Sequence, residues 1–185
     1  MRIIAGTARG TKLQEASEST RPTSDRVREA IFNVLRNVIS EARVLDLFAG
    51  TGALGLESLS RGSASCTFVE NNPRSLTCLR KNIARTKFPQ TRVIESDALQ
   101  FAGNPRNPQK FDLIFADPPY FHHGQPDLVS PLLAEPLPLA DDGILVLEVE
   151  SQRETPEPPN LTLLKRKDYG NTSVLYYQKE SAPEA

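Results

Sequence analysis

Cysteine and histidine are nearly missing from this chain, which has two of each among 185 residues. Cys66 and Cys78 stand without CxxC spacing, one in a predicted strand and one in a predicted helix. Neither a disulfide framework nor a cysteine metal site is indicated, and both are expected to be reduced structural thiols, as suits a cytoplasmic protein. Long apolar runs are lacking as well. Nothing approaches the roughly 20 residues that span a bilayer, so no membrane partner is expected. The opening Met1-Arg2-Ile3-Ile4-Ala5-Gly6 has none of the apolar core of a signal peptide. Internal repeats and low-complexity segments are absent. So is an excess of either charge, since the formal net charge is −1. The sum does not advertise a nucleic-acid binder; only the distribution can.

What is present is 38% hydrophobic content in regular segments, enough for one domain with an ordinary core. Basic residues gather early: Arg2, Arg9, Lys12, Arg21, Arg26, Arg28 and Arg36, against Glu15, Glu18, Asp25 and Glu29. That segment precedes the first core strand and needs another purpose. A second basic group, Arg74, Arg80, Lys81, Arg85, Lys87 and Arg92, reads as solvated faces of a helix and loops.

Residues 1–20 are short-patterned, polar and Gly-containing around Ile3-Ile4 and Leu13, which predicts a β-hairpin appendage. Thr23-Ser24-Asp25 offers helix caps before an apolar stripe of Val27, Ala30, Ile31, Val34, Leu35 and Val38 at 3.6-residue period. Strand and helix patterns then alternate. Strands are expected at 43–48, 64–70, 91–96, 111–116 and 143–149, and helices at 53–60, 73–86, near 98–101 and at 127–135. Such alternation predicts a parallel sheet covered on both faces. Two further strand-like runs, 161–165 and 173–178, predict a terminal hairpin closing the sheet edge. The proline-rich pieces at 105–108 and 156–159 read as loops.

Asp46-Leu47-Phe48-Ala49-Gly50-Thr51-Gly52 ends the first strand and opens a G-x-G-x-x-G turn that Gly55 completes. Glycines there let the backbone turn tightly and approach a ligand. Glu70 ends the next strand, where a carboxylate can accept both ribose hydroxyls of an adenosine. A dinucleotide would fit this much. Asp46 and Asp117 tip the balance, because they would repel a pyrophosphate and suit a cationic sulfonium. Asp97-Ala98 adds an acid placed to accept from an adenine amine. The pattern therefore indicates S-adenosylmethionine.

Asp117-Pro118-Pro119-Tyr120 ends the fourth strand. An exocyclic base amine is a poor nucleophile, since its lone pair is delocalised into the ring. Acceptors for its N–H groups aim that lone pair, and Asp117 with the Pro118 carbonyl can supply two. Pro118 and Pro119 fix φ and remove competing donors. Tyr120 can stack on the base, worth roughly 1–3 kcal/mol. Carbon methylation of cytosine would need a nucleophilic cysteine, and neither thiol sits at a strand end facing this site. His122 and His123 continue the loop and are not expected to bind a metal.

Together with Arg9-Gly10, Lys12-Leu13, Arg21-Pro22-Thr23, the run from Asp25 to Ala30, Arg61-Gly62 and Val69-Glu70-Asn71, these motifs resemble the bacterial small-subunit (16S) ribosomal RNA guanine-N2 methyltransferases of the RsmD type. The resemblance covers nearly the whole chain. It implies an α/β, Rossmann-like class I methyltransferase, with a mainly parallel seven-stranded sheet, helices on both faces and a small N-terminal β-hairpin. It implies a cofactor site of Thr23, Asp46, Phe48, Gly50, Gly52, Glu70, Asn71, Asp97 and Ala98. Catalysis would fall to Asp117, Pro118, Pro119 and Tyr120. Substrate RNA would meet Arg2, Arg9, Lys12, Arg21, Tyr120 and Phe121, with Arg21 and Thr23 bordering the pocket. The implied layout is an RNA-contacting extension over 1–20, the methyltransferase domain over 21–180 and a frayed tail over 181–185. The implied partner is small-subunit ribosomal RNA inside an assembling 30S particle with ribosomal proteins, met by a monomer. Two rival readings follow from the same residues. An adenine-N6 or cytosine-N4 methyltransferase shares the tetrapeptide logic, although only a short hairpin is available for target recognition. A non-catalytic RNA-binding assembly factor would have no reason to keep Asp46, Glu70, Asp97 and Asp117 at these spacings.

Overall fold

The computed structural model describes residues 1–15, 24–106, 108–119 and 126–180. Among them, one seven-stranded sheet is built from β1 (Arg43–Leu47), β2 (Ser65–Glu70), β3 (Thr91–Glu95), β4 (Phe111–Ala116), β5 (Leu139–Glu150), β6 (Leu161–Tyr169) and β7 (Thr172–Lys179). The order is β3-β2-β1-β4-β5-β7-β6. Strands β1 to β5 run parallel, and β7 is antiparallel to both β5 and β6. The helices are α1 (Asp25–Val34), α2 (Ala53–Ser60), α3 (Pro73–Thr86), α4 (Ala98–Ala102) and α5 (Val129–Ala134). No described helix is long and apolar enough to cross a membrane.

Alternation along each strand divides the core into two layers. On one face Val44, Phe68, Leu113, Phe115 and Val146 pack against Ile31 and Phe32 of α1, Leu56 of α2 and Leu79 of α3. On the other, Leu45, Leu47, Ile114, Leu145 and Leu147 meet Ala98 and Ala102 of α4 and Leu132 and Leu133 of α5. The Phe32 and Phe115 rings meet at 5.6 Å and 52°, and the Arg61 guanidinium lies 4.8 Å from the Phe32 centroid. Helix starts follow their caps. Ser24 Oγ accepts from Val27 N–H at 3.2 Å, and Asn72 Oδ1 accepts from Arg74 and Ser75 N–H. Ser24 is thus the capping residue of the Thr23-Ser24-Asp25 set; Thr23 lies outside the described residues.

Several boundaries differ from the sequence pattern. The stripe through Val38 predicts a longer α1, yet the helix is capped at Leu35, with Val34 37% and Val38 43% exposed while Leu35 and Ile39 are buried. The periodicity continues because turns at 35–39 keep Leu35 and Ile39 inward, not because the helix does. Strand β5 starts at Leu139, before the expected 143–149. The Asp141-Asp142-Gly143 stretch is absorbed as an irregularity in the ladder, where Phe111 pairs Leu139 and Leu113 pairs Ile144. The final hairpin also runs longer than expected, to Tyr169 on one arm and Lys179 on the other.

The expected amino-terminal hairpin is short: Arg2 and Lys12 form an antiparallel bridge, and Ile3 N–H donates to Thr11 O, Gly10 N–H to Ile3 O and Leu13 N–H to Met1 O. The segment is held by the domain as well as by itself. Ile3 and Leu13 are buried in the same core as α1 and α2. The fully buried Glu57 carboxylate accepts from Ile4 N–H at 2.7 Å and Ala5 N–H at 3.0 Å. Ser60 donates to Ala5 O at 2.6 Å and accepts from Ala8 N–H at 3.0 Å. Arg28 of α1 donates to Arg2 O at 2.6 Å and to Asp25 at 2.8 Å.

Candidate active site

The chain builds outward from β1 through β2 to β3, then returns to lay β4 on the other side of β1. The crevice at the carboxyl ends of β1 and β4 is the topological switch point of such a sheet, where open α/β folds take ligands. Leu47 pairs with Ala116, so the two strands end level. Asp46 and the glycine loop therefore emerge next to Asp117-Pro118.

The loop is held in an unusual backbone. Phe48 has φ +59° and Gly52, the N-cap of α2, has φ +83°. A Cβ at position 52 would stand 2.4 Å from Leu79 Cδ1, so bareness is required there twice over, by dihedral and by space. Positive φ at Phe48 costs about 1–3 kcal/mol and is the kind of strain that collects at ligand sites. Asp46 is 2% exposed, and its Oδ2 accepts from Gly55 N–H at 2.9 Å. Burial, and secondarily the charges of Asp117 and Glu70, push its carboxyl well above the usual range, while the Gly55 bond resists this.

Glu70 closes the loop from the neighbouring strand. Its Oε2 accepts from Gly50 N–H at 2.7 Å, and its Oε1 from Asn71 and Asn72 N–H at 2.9 and 2.7 Å. Three of the about four acceptor positions of a carboxylate are thereby taken. One acceptor position is left, on Oε2. Asp97 caps α4 through Gln100 N–H at 3.0 Å, with its second oxygen left to accept, and Ala98 beside it is buried. Asn71 is exposed at the rim.

Pro118 is buried and Pro119 exposed after β4. Both line a small cleft with Val129, Glu148, Glu150 and Arg153. A wider hollow of about 480 Å³ shares Glu150 and Arg153 with it and is lined as well by Asp127, Ser130, Ser151, Gln152 and Glu154. Arg153 pairs with Asp127 across it. Burial works against the Asp127 charge, yet hydrogen bonds from Ser130, Val129 N–H and Arg153 hold its carboxyl down to about 2. Nothing in the sequence pattern singles out this pair, because residues 127 and 153 come together only through the β5 register.

Of the expected site residues, Asp46, Phe48, Gly50, Gly52, Glu70, Asn71, Asp97, Ala98, Asp117, Pro118 and Pro119 lie at the carboxyl ends of β1 to β4. Arg2, Arg9 and Lys12 are exposed on the amino-terminal segment, and Arg85 donates to Lys12 O at 2.7 Å. Arg21, Thr23, Tyr120, Phe121, His122, His123 and the tail 181–185 lie outside the described residues. Both thiols are free and buried. Burial and the nearby Asp46 charge push the Cys66 thiol up, so it is no nucleophile. Among the described residues no group of three His, Cys, Asp or Glu is placed to hold a metal.

This geometry has known counterparts. The family model described as Conserved hypothetical protein 95 matches residues 1–178. The chain belongs to this family. A relative from Haemophilus influenzae, named Ribosomal RNA small subunit methyltransferase D, is 40% identical over 181 residues, covering 96% of this chain and 93% of its own. The solved structure of yhhF from Escherichia coli, described as a candidate methyltransferase, is 37% identical with a TM-score of 0.83, over 98% of this chain and 99% of that one. A more distant candidate methyltransferase, solved with S-adenosylhomocysteine, is 17% identical with a TM-score of 0.65 over 82% of this chain and 49% of that chain. It shares the fold, which is that of the class I methyltransferases. For a Conserved hypothetical protein 95 member, the switch-point crevice is where this fold places its chemistry.

Proposed function

We propose that this protein transfers a methyl group from S-adenosylmethionine to the exocyclic N2 amine of a guanine in small-subunit (16S) ribosomal RNA. The observation that carries the reading is the level ending of β1 and β4, which sets the glycine loop and Asp46 beside Asp117-Pro118. The activity named for the Haemophilus influenzae relative supports the ribosomal RNA substrate.

The residues present fit the cofactor. A bare turn at Gly50 and Gly52 admits it closely. Glu70 and Asp97 are acceptors spaced for ribose and adenine. The negative potential of Asp117 and Glu70, which also opposes ionisation of the buried Asp46, favours a sulfonium cation and disfavours a pyrophosphate. S-adenosylmethionine supplies a methyl group on a cationic sulfur. The protein supplies alignment and acceptors, the two largest levers for such a displacement. Asp117 and the Pro118 carbonyl accept the two N2 hydrogens and bias the nitrogen toward sp³. With the group bound, Asp117 and the Pro118 carbonyl would aim the nitrogen lone pair at the methyl carbon, and Asp117 or water would take the proton that the methylated nitrogen cation sheds. Asp117 need not be a strong base, because that cation is acidic. Tyr120 and Phe121 hold the unstacked base, and Arg2, Arg9, Lys12 and Arg21 meet the backbone. The substrate is RNA in an assembling 30S particle with ribosomal proteins, the enzyme is a cytoplasmic monomer, and residues 1–20 serve as its RNA-contacting extension.

The test is methyl transfer from labelled S-adenosylmethionine to small subunits from a strain lacking the endogenous enzyme, followed by nucleoside mass spectrometry. N2-methylguanosine is expected. Methylated adenosine or cytidine would keep the cofactor and overturn the base assignment. Bound cofactor with no product on any small-subunit preparation would sink the ribosomal substrate.

A further inference from the structure

Side chains from three helices hold the amino-terminal segment, and one of them also holds the glycine loop. Asn82, on the inner face of α3, is fully buried. Its Oδ1 accepts from Gln14 N–H at 2.7 Å, and its Nδ2 donates to Gln14 O at 3.0 Å, pairing with that residue as a neighbouring strand would. The same Nδ2 donates to Thr51 O at 2.9 Å, the carbonyl between Gly50 and Gly52. The amide cannot be turned over, because Gln14 N–H requires an oxygen and both carbonyls require a nitrogen. Other anchors include Arg28 on Arg2 O, Arg85 on Lys12 O, Glu57 on Ile4 and Ala5, and Ser60 on Ala5 and Ala8, and Cys78 Sγ donates to Glu15 O. Among the described residues none of those side chains hydrogen-bonds the loop.

We infer that Asn82 is a positioning residue that couples the amino-terminal segment to the glycine loop, so that fixing the segment on RNA tightens cofactor binding and bound cofactor steadies the segment. The inference rests on the cofactor and RNA roles proposed above. One planar amide carries both connections, so Gln14 cannot shift without moving the donor that holds Thr51 O. Coupling of this kind is reciprocal by thermodynamic necessity, and ordinarily amounts to about 5–150-fold in affinity.

Two measurements test it. In the wild-type chain, saturating S-adenosylhomocysteine should slow amide hydrogen exchange at Gln14, whose N–H bonds to Asn82 and touches no part of the crevice. In equilibrium dialysis of labelled S-adenosylhomocysteine, small subunits should tighten wild-type binding by about 5–20-fold. Asn82→Ala should weaken cofactor binding and lose most of that enhancement. Arg85→Ala, which releases Lys12 O but no loop atom, should weaken subunit binding and keep the enhancement. A purely structural asparagine would lower thermal stability without moving this ratio. Unchanged exchange at Gln14, no enhancement in the wild type, or full enhancement in Asn82→Ala would each overturn the coupling. The exchange measurement needs no variant, so it stands even if Asn82→Ala does not fold. Failure of the wild type to bind S-adenosylhomocysteine at all would instead overturn the cofactor reading on which the coupling depends.

Discussion

Asp46 carries a carboxyl whose proton is held more tightly in the fold than in the unfolded chain, because burial and the Asp117 and Glu70 charges oppose its ionisation. Its contribution to stability is therefore largest in acid. It falls as the pH rises from the ordinary carboxylate range, about 4, through the raised native value. An asparagine keeps the acceptor for Gly55 N–H and removes the charge. Asp46→Asn should match the wild type in stability below about pH 4 and exceed it at pH 7, with a higher Tm there. It should bind cofactor less well. Thermal melts across pH check this, and a variant less stable at pH 7 than at pH 4 relative to wild type would reverse the sign. Asp117→Ala addresses the other carboxylate. Turnover should fall by about 100-fold or more, while cofactor binding stays largely intact. Equal loss of both would move Asp117 into the cofactor site. Asp46, Glu70 and Asp117 were legible from spacing because strand ends fix where their Cα atoms stand. Their hydrogen bonds were not, since the direction of the Gly50 and Gly55 N–H groups depends on dihedrals no spacing reveals. Asn82 left one trace: an amide in the apolar register of Leu76, Leu79 and Ile83 on α3, where a polar residue asks for buried partners.

The elements themselves read clearly wherever both faces of a strand are buried, and poorly where one element borrows its stability from another. β1, β2 and β4 are short apolar runs, each followed by a glycine or proline break, and their limits fall within a residue or so of expectation. The amino-terminal segment is the opposite case. Its residues suggest a self-contained hairpin, and its arms do bond each other, but its side-chain anchors include Glu57, Ser60 and Asn82, remote in sequence. Gly6 is the narrow point. With φ +81° and a Cβ position 1.7 Å from Ser60 O, it lets the segment lie against the end of α2. Gly6→Ala should lift the segment from the domain and cost about 2 kcal/mol or more, roughly 4–8 °C in Tm. A melt within a degree of wild type would show that the segment contributes little to the fold. Gly10→Ala, with an equally positive φ and open space around it, separates dihedral strain from collision.

At the scale of the whole molecule, the proposed RNA substrate sets a nearly neutral protein against a polyanion. Net charge −1 gives no general attraction, so the affinity must come from a few placed cations and from surfaces other than phosphate. Several cations are already engaged: Arg43 makes a bidentate pair with Asp112, Arg80 pairs with Glu95, and Arg61 with Glu57. Arg9 and Lys12 are exposed on the segment, close along the chain to the Gln14 that Asn82 ties to the loop. Each phosphate contact contributes about 0.7 to the slope of log affinity against log salt for single-stranded RNA. Neutralising both in Arg9→Gln/Lys12→Gln should weaken binding to small subunits and flatten that slope by roughly 1.4. Affinity measured from low to physiological salt checks it. Weaker binding with an unchanged slope would mean that the segment docks on ribosomal protein or on bases. An unchanged affinity would remove it from the interface and leave the RNA to the rim of the crevice.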